Sequence, residues 1–469
     1  MKKVFYKTTK ELAELGLSKL PSEMKSSDHL IYSSPATLYF NSPGAKGFGV
    51  KRAGLAVPES VMLLVSPGCC GRNTSLFRVE PQYRDRFFFL LLDDTDIVTG
   101  RHLTKIPQAA EEVLTSLESS DAVIKKPSAI MICITCVDAL LGTDMERVCR
   151  KVTEKTGVPA VACYMYALTR EKRLPPMAAV RTSVYSLLEK REKRSSVDMN
   201  IMGYFTPLFD SCELYDLMKG IGIKNIHELS RCKTIEEYHE LSNANFSLVL
   251  NPEARAAAQD MQERLGIPFI EILRLYRIDK IHNQYKLLGQ ALGAEIKDEE
   301  YYQKARKTID DFKEKFGSIS FSVGEIQNGD PIEMSLMLVE EGFSVKEIFA
   351  TVGELNYRFL KRLAELSPET KVYSNLSPTM MHYEITGDAA VDKTDKADVA
   401  EVDKTGVDGI DNQADIDLPD VYIGSDVKYY HPDVPGIEWC DDEQPFGFDA
   451  VIKLFESLNK ALSNKYKER

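Results

Sequence analysis

The sequence predicts an α/β protein made of three parallel-sheet units, and three observations carry that expectation. Short apolar runs rich in β-branched residues alternate with longer amphipathic stretches. Each run is too short for a helix and lies close to a Gly or Pro, as buried parallel strands often do. The alternation then restarts twice along the 469 residues, a length beyond what one hydrophobic core usually fills.

The first series holds the strand candidates Val61-Met-Leu-Leu-Val65, Ala129-Ile-Met-Ile-Cys133 and Val158-Pro-Ala-Val-Ala162. Helical patterns at Ile106–Leu117 and Met145–Thr156 lie between them, the latter stopped by Gly157. Asn200-Ile-Met-Gly-Tyr-Phe205 opens a second series, with helices near Glu213–Lys219, Thr234–Ser242 and Pro252–Leu265 and a strand at Phe246–Leu250. A largely helical stretch, Ile278–Lys315, leads to the third start at Ile319-Ser-Phe-Ser-Val323. Pro331–Glu341, Val345–Phe349, Tyr357–Leu366 and Asp420–Gly424 follow, and Phe448–Leu462 reads as a closing amphipathic helix. The expected units are residues 1–197, 198–315 and 316–469. Within the third, about 386–417 is acidic and poor in large apolar residues, with Val-Asp-Lys-Thr at both 391–394 and 402–405. Such a stretch buries too little surface to offset its ordering entropy, so an exposed insertion is expected.

A net charge of −12 argues against nucleic acid or an anionic membrane as partner, since both require a basic footprint. No apolar run approaches the roughly 20 residues that span a bilayer. The N-terminal Met-Lys-Lys-Val-Phe-Tyr stretch lacks a signal-peptide apolar segment, so a cytoplasmic location is expected. In that reducing compartment the nine cysteines read as packing residues, metal or cluster ligands, or redox groups rather than a disulfide framework.

Two cysteine loops carry the chemistry. Ser66-Pro-Gly-Cys-Cys-Gly71 directly follows an apolar strand, and Cys133-Ile-Thr-Cys136 ends another. Ligands of open α/β sheets sit beyond strand carboxyl ends, and thiolates beside exposed backbone N–H groups suit an anionic iron–sulfur cluster. The same four cysteines, Cys69, Cys70, Cys133 and Cys136, could instead hold zinc, or pack inertly. The residues alone leave all three readings open. His431 and Cys440 lie just before the Phe446 loop, where they are candidates for lining a cavity, against the plainer reading of ordinary loop residues.

Beyond these features, the chain resembles the nitrogenase component 1 family over most of its length. Val65-Ser-Pro-Gly-Cys-Cys70 is similar to the family's G-P-x-G-C loop, and Cys136-Val-Asp-Ala-Leu-Leu-Gly-Thr-Asp144 to its C-P-x-x-L-I-G-D-D segment. Asp96-Ile-Val-Thr-Gly100 with Leu103 resembles a further motif, and Gly157-Val-Pro159 continues the match. Phe246–Asn251 resembles the family's second domain, and Gly324-Glu-Ile-Gln-Asn-Gly-Asp330, Gly424-Ser-Asp426 and Phe446-Gly-Phe-Asp449 its third.

The resemblance implies three Rossmann-like, doubly wound domains around a central cavity. It implies a [4Fe–4S] cluster bridging two subunits, with Cys70 and Cys136 as ligands and Cys69 and Cys133 as alternates. It also implies an ATP-dependent iron-protein reductase as electron donor, and a homologous subunit or second copy as partner; the chain itself has no phosphate-binding G-x-x-x-x-G-K-[ST] motif. The departures matter equally. Tyr39–Gly47 lacks the further cysteine used for the family's larger cluster. Asn251 and Phe446 stand where the resemblance puts the cysteine and histidine that anchor a molybdenum–iron cofactor, and neither supplies such a ligand. The expectation is a nitrogenase-like oxidoreductase that does not reduce dinitrogen on this chain, with a scaffold for metallocluster assembly as the alternative. A ligand-sensing module would also suit three α/β domains around a cavity, but leaves the cysteine loops unexplained.

Overall fold

A computed structural model gives the fold; it describes residues 4–25, 36, 50–68, 81–122, 124–135, 141–164, 174–383 and 418–468. Cys69, Cys70, Cys136 and the acidic insertion at about 386–417 lie outside the described residues. The described chain opens with a two-residue strand, β1 (Lys7–Thr8). The first sheet holds β2 (Val61–Pro67), β3 (Phe87–Leu92), β4 (Ile130–Ile134) and β5 (Ala160–Tyr164), all parallel, in the order β3-β2-β4-β5. Their alternation sorts side chains onto two faces. Val61, Leu63, Val65, Ile130, Ile132 and Ile134 meet helices His102–Ser119 and Met145–Thr156. Met62, Leu64, Met131 and Cys133 meet helices Val50–Gly54 and Pro176–Tyr185 on the other face. Burial on both faces explains why these strands read as unbroken apolar runs.

The expected helix Met145–Thr156 has the end chemistry its sequence indicates. The Asp144 carboxylate accepts from the Arg147 N–H at 3.0 Å. Gly157, at φ 67°, closes the helix with its N–H on the Thr153 carbonyl at 2.8 Å.

The second sheet, in the order β7-β6-β8-β9, is again wholly parallel: β6 (Asp198–Met202), β7 (Asn225–Glu228), β8 (Phe246–Val249) and β9 (Phe269–Glu271). The third holds β10 (Ser320–Val323), β11 (Ser344–Phe349), β12 (Lys371–Tyr373), β13 (Val421–Ile423) and β14 (Gly436–Ile437) in parallel, with β1 added antiparallel beside β12. The N-terminal strand therefore joins the third sheet, although the sequence reading placed it with the first unit. Two residues carry no periodicity, and the Lys7↔Val372 pairing is a contact across most of the chain.

One continuous core joins the second and third sheets, from Leu248 and Ile201 to Phe321, Ile348 and Phe455. The helix Glu299–Phe316 packs against the closing helix Gly447–Glu468. Because the core runs across both sheets, the carboxyl ends of their strands share a common edge region where a cleft forms.

Candidate functional site

The cleft has a volume of about 710 Å³ and lies where loops leave the carboxyl ends of strands in the second and third sheets. Tyr204 follows β6, Asn251 follows β8, and Leu273, Arg274 and Leu275 follow β9. Glu325 and Asp330 follow β10, and Thr351 with the segment to Phe359 follows β11. Parallel sheets place ligands in this position because backbone N–H groups and loop side chains converge there. A shallower groove of about 500 Å³ shares Leu273, Leu275, Arg358 and Phe359 with the cleft and extends it over Leu287 and Leu336.

Tight loop packing fixes the walls. Gly203, at φ 141°, lies so close to the Asn251 loop that a Cβ there would sit 2.8 Å from the Asn251 nitrogen. Arg181, 5% exposed, locks the same junction: its Nε and Nη2 donate to the Gly203 carbonyl at 3.0 and 2.9 Å, and Nη1 pairs with Glu253 at 2.7 Å. On the opposite wall, the two loops singled out by resemblance meet each other. Asp426, fully buried, accepts from the N–H groups of Glu325 at 2.9 Å and Ile326 at 3.2 Å, and from Asn375 Nδ2 at 2.6 Å. A Cβ on Gly324 would lie 2.1 Å from the Asp426 Oδ1, so only glycine lets the carboxylate reach this loop.

The cleft mixes charges. Arg255 grips Glu271 through two bonds of 2.5 and 2.7 Å. Arg274 stacks 4.3 Å from the Tyr204 ring centroid and donates to Gln444 Oε1 at 2.7 Å. Glu325 Oε1 accepts from the Thr351 N–H at 2.8 Å. Burial pushes the Glu325 carboxyl up to about 7, against the Thr351 hydrogen bonds, and the charges of Asp426 and Asp330 add to the rise. Asp330 is also held above its usual range by burial, while its carboxylate caps the helix Pro331–Glu340 through Ile332 and Glu333.

Of the four residues expected near a cavity, Asn251 lines this one and the other three do not. The Asn251 carboxamide oxygen accepts from the Glu253 N–H at 3.0 Å, a turn-capping bond. Phe446 is 1% exposed in the core shared by the second and third sheets, with its carbonyl 3.7 Å from Cys212 Sγ. Cys440 is buried with Sγ 2.8 Å from Ser425 Oγ. His431 sits in a buried network instead: its Nε2 is 2.5 Å from Glu347 and 3.1 Å from the Tyr383 hydroxyl. Burial alone would raise Glu347, yet His431, Tyr383 and Ser322 together hold it below its ordinary value. These three residues belong to the packing of the third sheet, which a lone His or Cys in a loop does not reveal in sequence. Glu325, Arg274 and Arg358 were missed for the converse reason: their role depends on two sheets meeting, and nothing local marks it.

The thiolate loops can be placed only through their strands. β2 and β4, the two inner strands, pair in parallel with Val65 opposite Ile134, so the strand ends that precede Cys70 and Cys136 in sequence are adjacent. That arrangement fits a shared cluster to which each loop gives one thiolate. Cys133 lies within β4, fully buried and opposite Cys163, on the face toward Met131 and Met62. Its place is in the core rather than beyond the strand end. Among the described residues, no group of three or more His, Cys, Asp or Glu is disposed to hold a metal ion.

The fold is that of an α/β protein with three mainly parallel sheets and a cleft between two of them. The model of the nitrogenase component 1 type oxidoreductases matches residues 46–389, and the chain belongs to that family. It is similar to the nitrogenase iron-molybdenum cofactor biosynthesis protein NifE of a Nostoc species, 26% identical over 174 residues. The match covers 36% of this chain and 35% of that one. The NifE protein of Klebsiella pneumoniae is 24% identical over 250 residues, 49% of this chain and 53% of its own. The chain thus spans between about a third and about half the length of these curated relatives. The solved structure "Nitrogenase Cp1 at pH 6.5" superposes with a TM-score of 0.67 at 15% identity, covering 94% of this chain and 96% of the other, a likeness of fold.

Proposed function

We propose that this chain is a reductase subunit that accepts electrons from a separate ATP-dependent iron protein and reduces a molecule bound in the cleft between the second and third sheets. The observation that supports the reading is the parallel pairing of β2 with β4, whose adjacent carboxyl ends directly precede Cys70 and Cys136 in sequence. These two thiolates would hold half of a [4Fe–4S] cluster, and the same pair from a homologous subunit or second copy would complete it. When bound, the cluster supplies one-electron transfer. The edge strand β3 beside it exposes Leu91 by 55% and Phe89 by 38%, apolar surface that suits burial against such a subunit.

This chain's residues prepare the substrate site. Asn251 lines the cleft where the family resemblance puts a cofactor-anchoring thiolate, so the cleft suits an organic substrate better than a molybdenum–iron cofactor. Arg255 and Arg274 stand on one wall, and Arg358 stands on the other with Glu325, whose carboxyl burial raises to about 7. No helix among the described residues is long and apolar enough to cross a membrane, in keeping with work in the cytoplasm. The NifE relatives, named for cofactor biosynthesis, favour a second reading: a scaffold on which a metallocluster is assembled and then released.

Turnover separates the two. The anaerobic protein is mixed with its iron protein, ATP and candidate organic substrates. The reductase reading expects ATP-dependent product formation. Release of a larger cluster with no substrate consumed would establish the scaffold instead.

A further inference from the structure

One carboxyl of the cleft is placed unlike the other acids around it. Glu271 is paired with Arg255, Asp330 is fixed by two helix N–H groups, and Glu354 is exposed. Glu325 receives the Thr351 N–H on Oε1, while its Oε2 is buried with no hydrogen-bond partner. Its strongest charged influences are Asp426, on the helix Ser425–Tyr430, and Asp330, both acidic. The cations of the lining face elsewhere: Arg255 toward Glu271, Arg274 toward Gln444 and the Tyr204 ring, Arg358 over the Phe359 ring at 4.6 Å.

A carboxylate in that position is a poor anion, because one oxygen lacks donors and two acids repel it. As a neutral acid it carries an O–H that needs an acceptor, and the fold provides none at Oε2. Arg274 has the matching defect, a buried Nε–H without a partner. Arg358 is not ion-paired with any carboxylate among the described residues. The Glu325 O–H and the Arg274 Nε–H are thus buried donors without acceptors, which a ligand oxyanion would supply, while Arg358 is exposed. The rest of the wall, including Leu250, Leu273, Leu275 and Phe359, is apolar and continues into the adjoining groove.

We propose that Glu325 hydrogen-bonds, as a carboxylic acid, to a carboxylate-bearing organic ligand with an apolar body, whose charge Arg274 and Arg358 offset. This rests on the cleft being the substrate site. Because burial holds the Glu325 carboxyl up at about 7, binding takes up a proton at higher pH. Affinity is flat below that pH and falls above it by up to about tenfold per unit.

Titration calorimetry of the full chain with benzoate tests this, at about pH 8 in two buffers of different ionisation enthalpy. Wild type is expected to take up about one proton per benzoate bound, and uncharged benzamide to bind far more weakly. Glu325→Gln, which keeps an acceptor for the Thr351 N–H, should bind benzoate with no proton uptake and a flat pH profile. Arg274→Met should weaken benzoate about tenfold, the loss of one charge-assisted hydrogen bond. Absence of benzoate binding at millimolar concentration, equal binding of benzamide, no uptake in wild type, or uptake that persists in Glu325→Gln would each overturn the proposal. Iron is measured on the same preparations, so that loss of the cluster reading and loss of this one are told apart.

Discussion

Glu213 shows how much a single residue decides. It is 1% exposed, and its carboxylate accepts from the N–H groups of Phe448 at 2.6 Å and Asp449 at 3.0 Å and from the Tyr285 hydroxyl at 2.7 Å. A residue from the second series thus caps the closing helix Gly447–Glu468 of the third. Gly447 makes room for it: at φ 66°, a Cβ there would lie 1.8 Å from Glu213 Oε1. Glu213→Ala is expected to cost about 3 kcal/mol, because three donors lose their acceptor at once; urea denaturation measures it. Burial raises the Glu213 carboxyl to about 7 against these hydrogen bonds. The native state therefore binds more protons than the unfolded one between about pH 4.5 and 7, and this residue's contribution falls as pH rises through that window. Wild type should lose stability relative to Glu213→Gln between pH 5 and pH 8, and a constant difference would refute the linkage.

At the scale of elements, the third unit depends on an aromatic seam between two helices and a sheet. Phe312 of the helix Glu299–Phe316 meets Phe455 of the closing helix at 5.1 Å and Phe343 at 5.7 Å between ring centroids. Phe455 is fully buried, so Phe455→Ala should remove about 3–5 kcal/mol, read as a shift in the urea midpoint with an unchanged slope. Gly203→Ala belongs to this scale too. The added methyl would press on the Asn251 nitrogen, and the φ of 141° is unfavourable for alanine. A cost of about 1–3 kcal/mol is expected, together with weaker ligand binding in the cleft from the displaced Asn251 loop. Benzoate affinity and thermal unfolding of that variant check both effects.

Elements were also the most legible part of the sequence. β2 and β4 were recognisable because both faces are buried, which leaves an unbroken apolar run between turn residues. The helix Met145–Thr156 was bounded by Asp144 and Gly157, whose capping roles are local. Strands β1 and β7 were not visible, being two and four residues long with no distinctive pattern. The site was harder still. Asn251 was found through the family resemblance, whereas Glu325 has no local mark: its surroundings come from Asp426, a hundred residues later, and from Thr351 just after β11. His431 attracted attention as a lone histidine just past the helix Ser425–Tyr430, and its partner Glu347 lies on β11, 84 residues earlier.

For the whole molecule, three mainly parallel sheets and a continuous core across two of them carry a charged cleft at the strand ends. The chain belongs to the nitrogenase component 1 type oxidoreductases, and Cys70 and Cys136 are the proposed cluster ligands. The most direct measurement is anaerobic iron and sulfide quantification, with EPR, on wild type, Cys70→Ala and Cys136→Ala. Wild type should contain iron and acid-labile sulfide with the EPR signal of a reduced cluster, and each variant should lose most of all three. Iron and sulfide content unchanged in both variants would contradict the assignment of this cluster and, with it, the reductase reading.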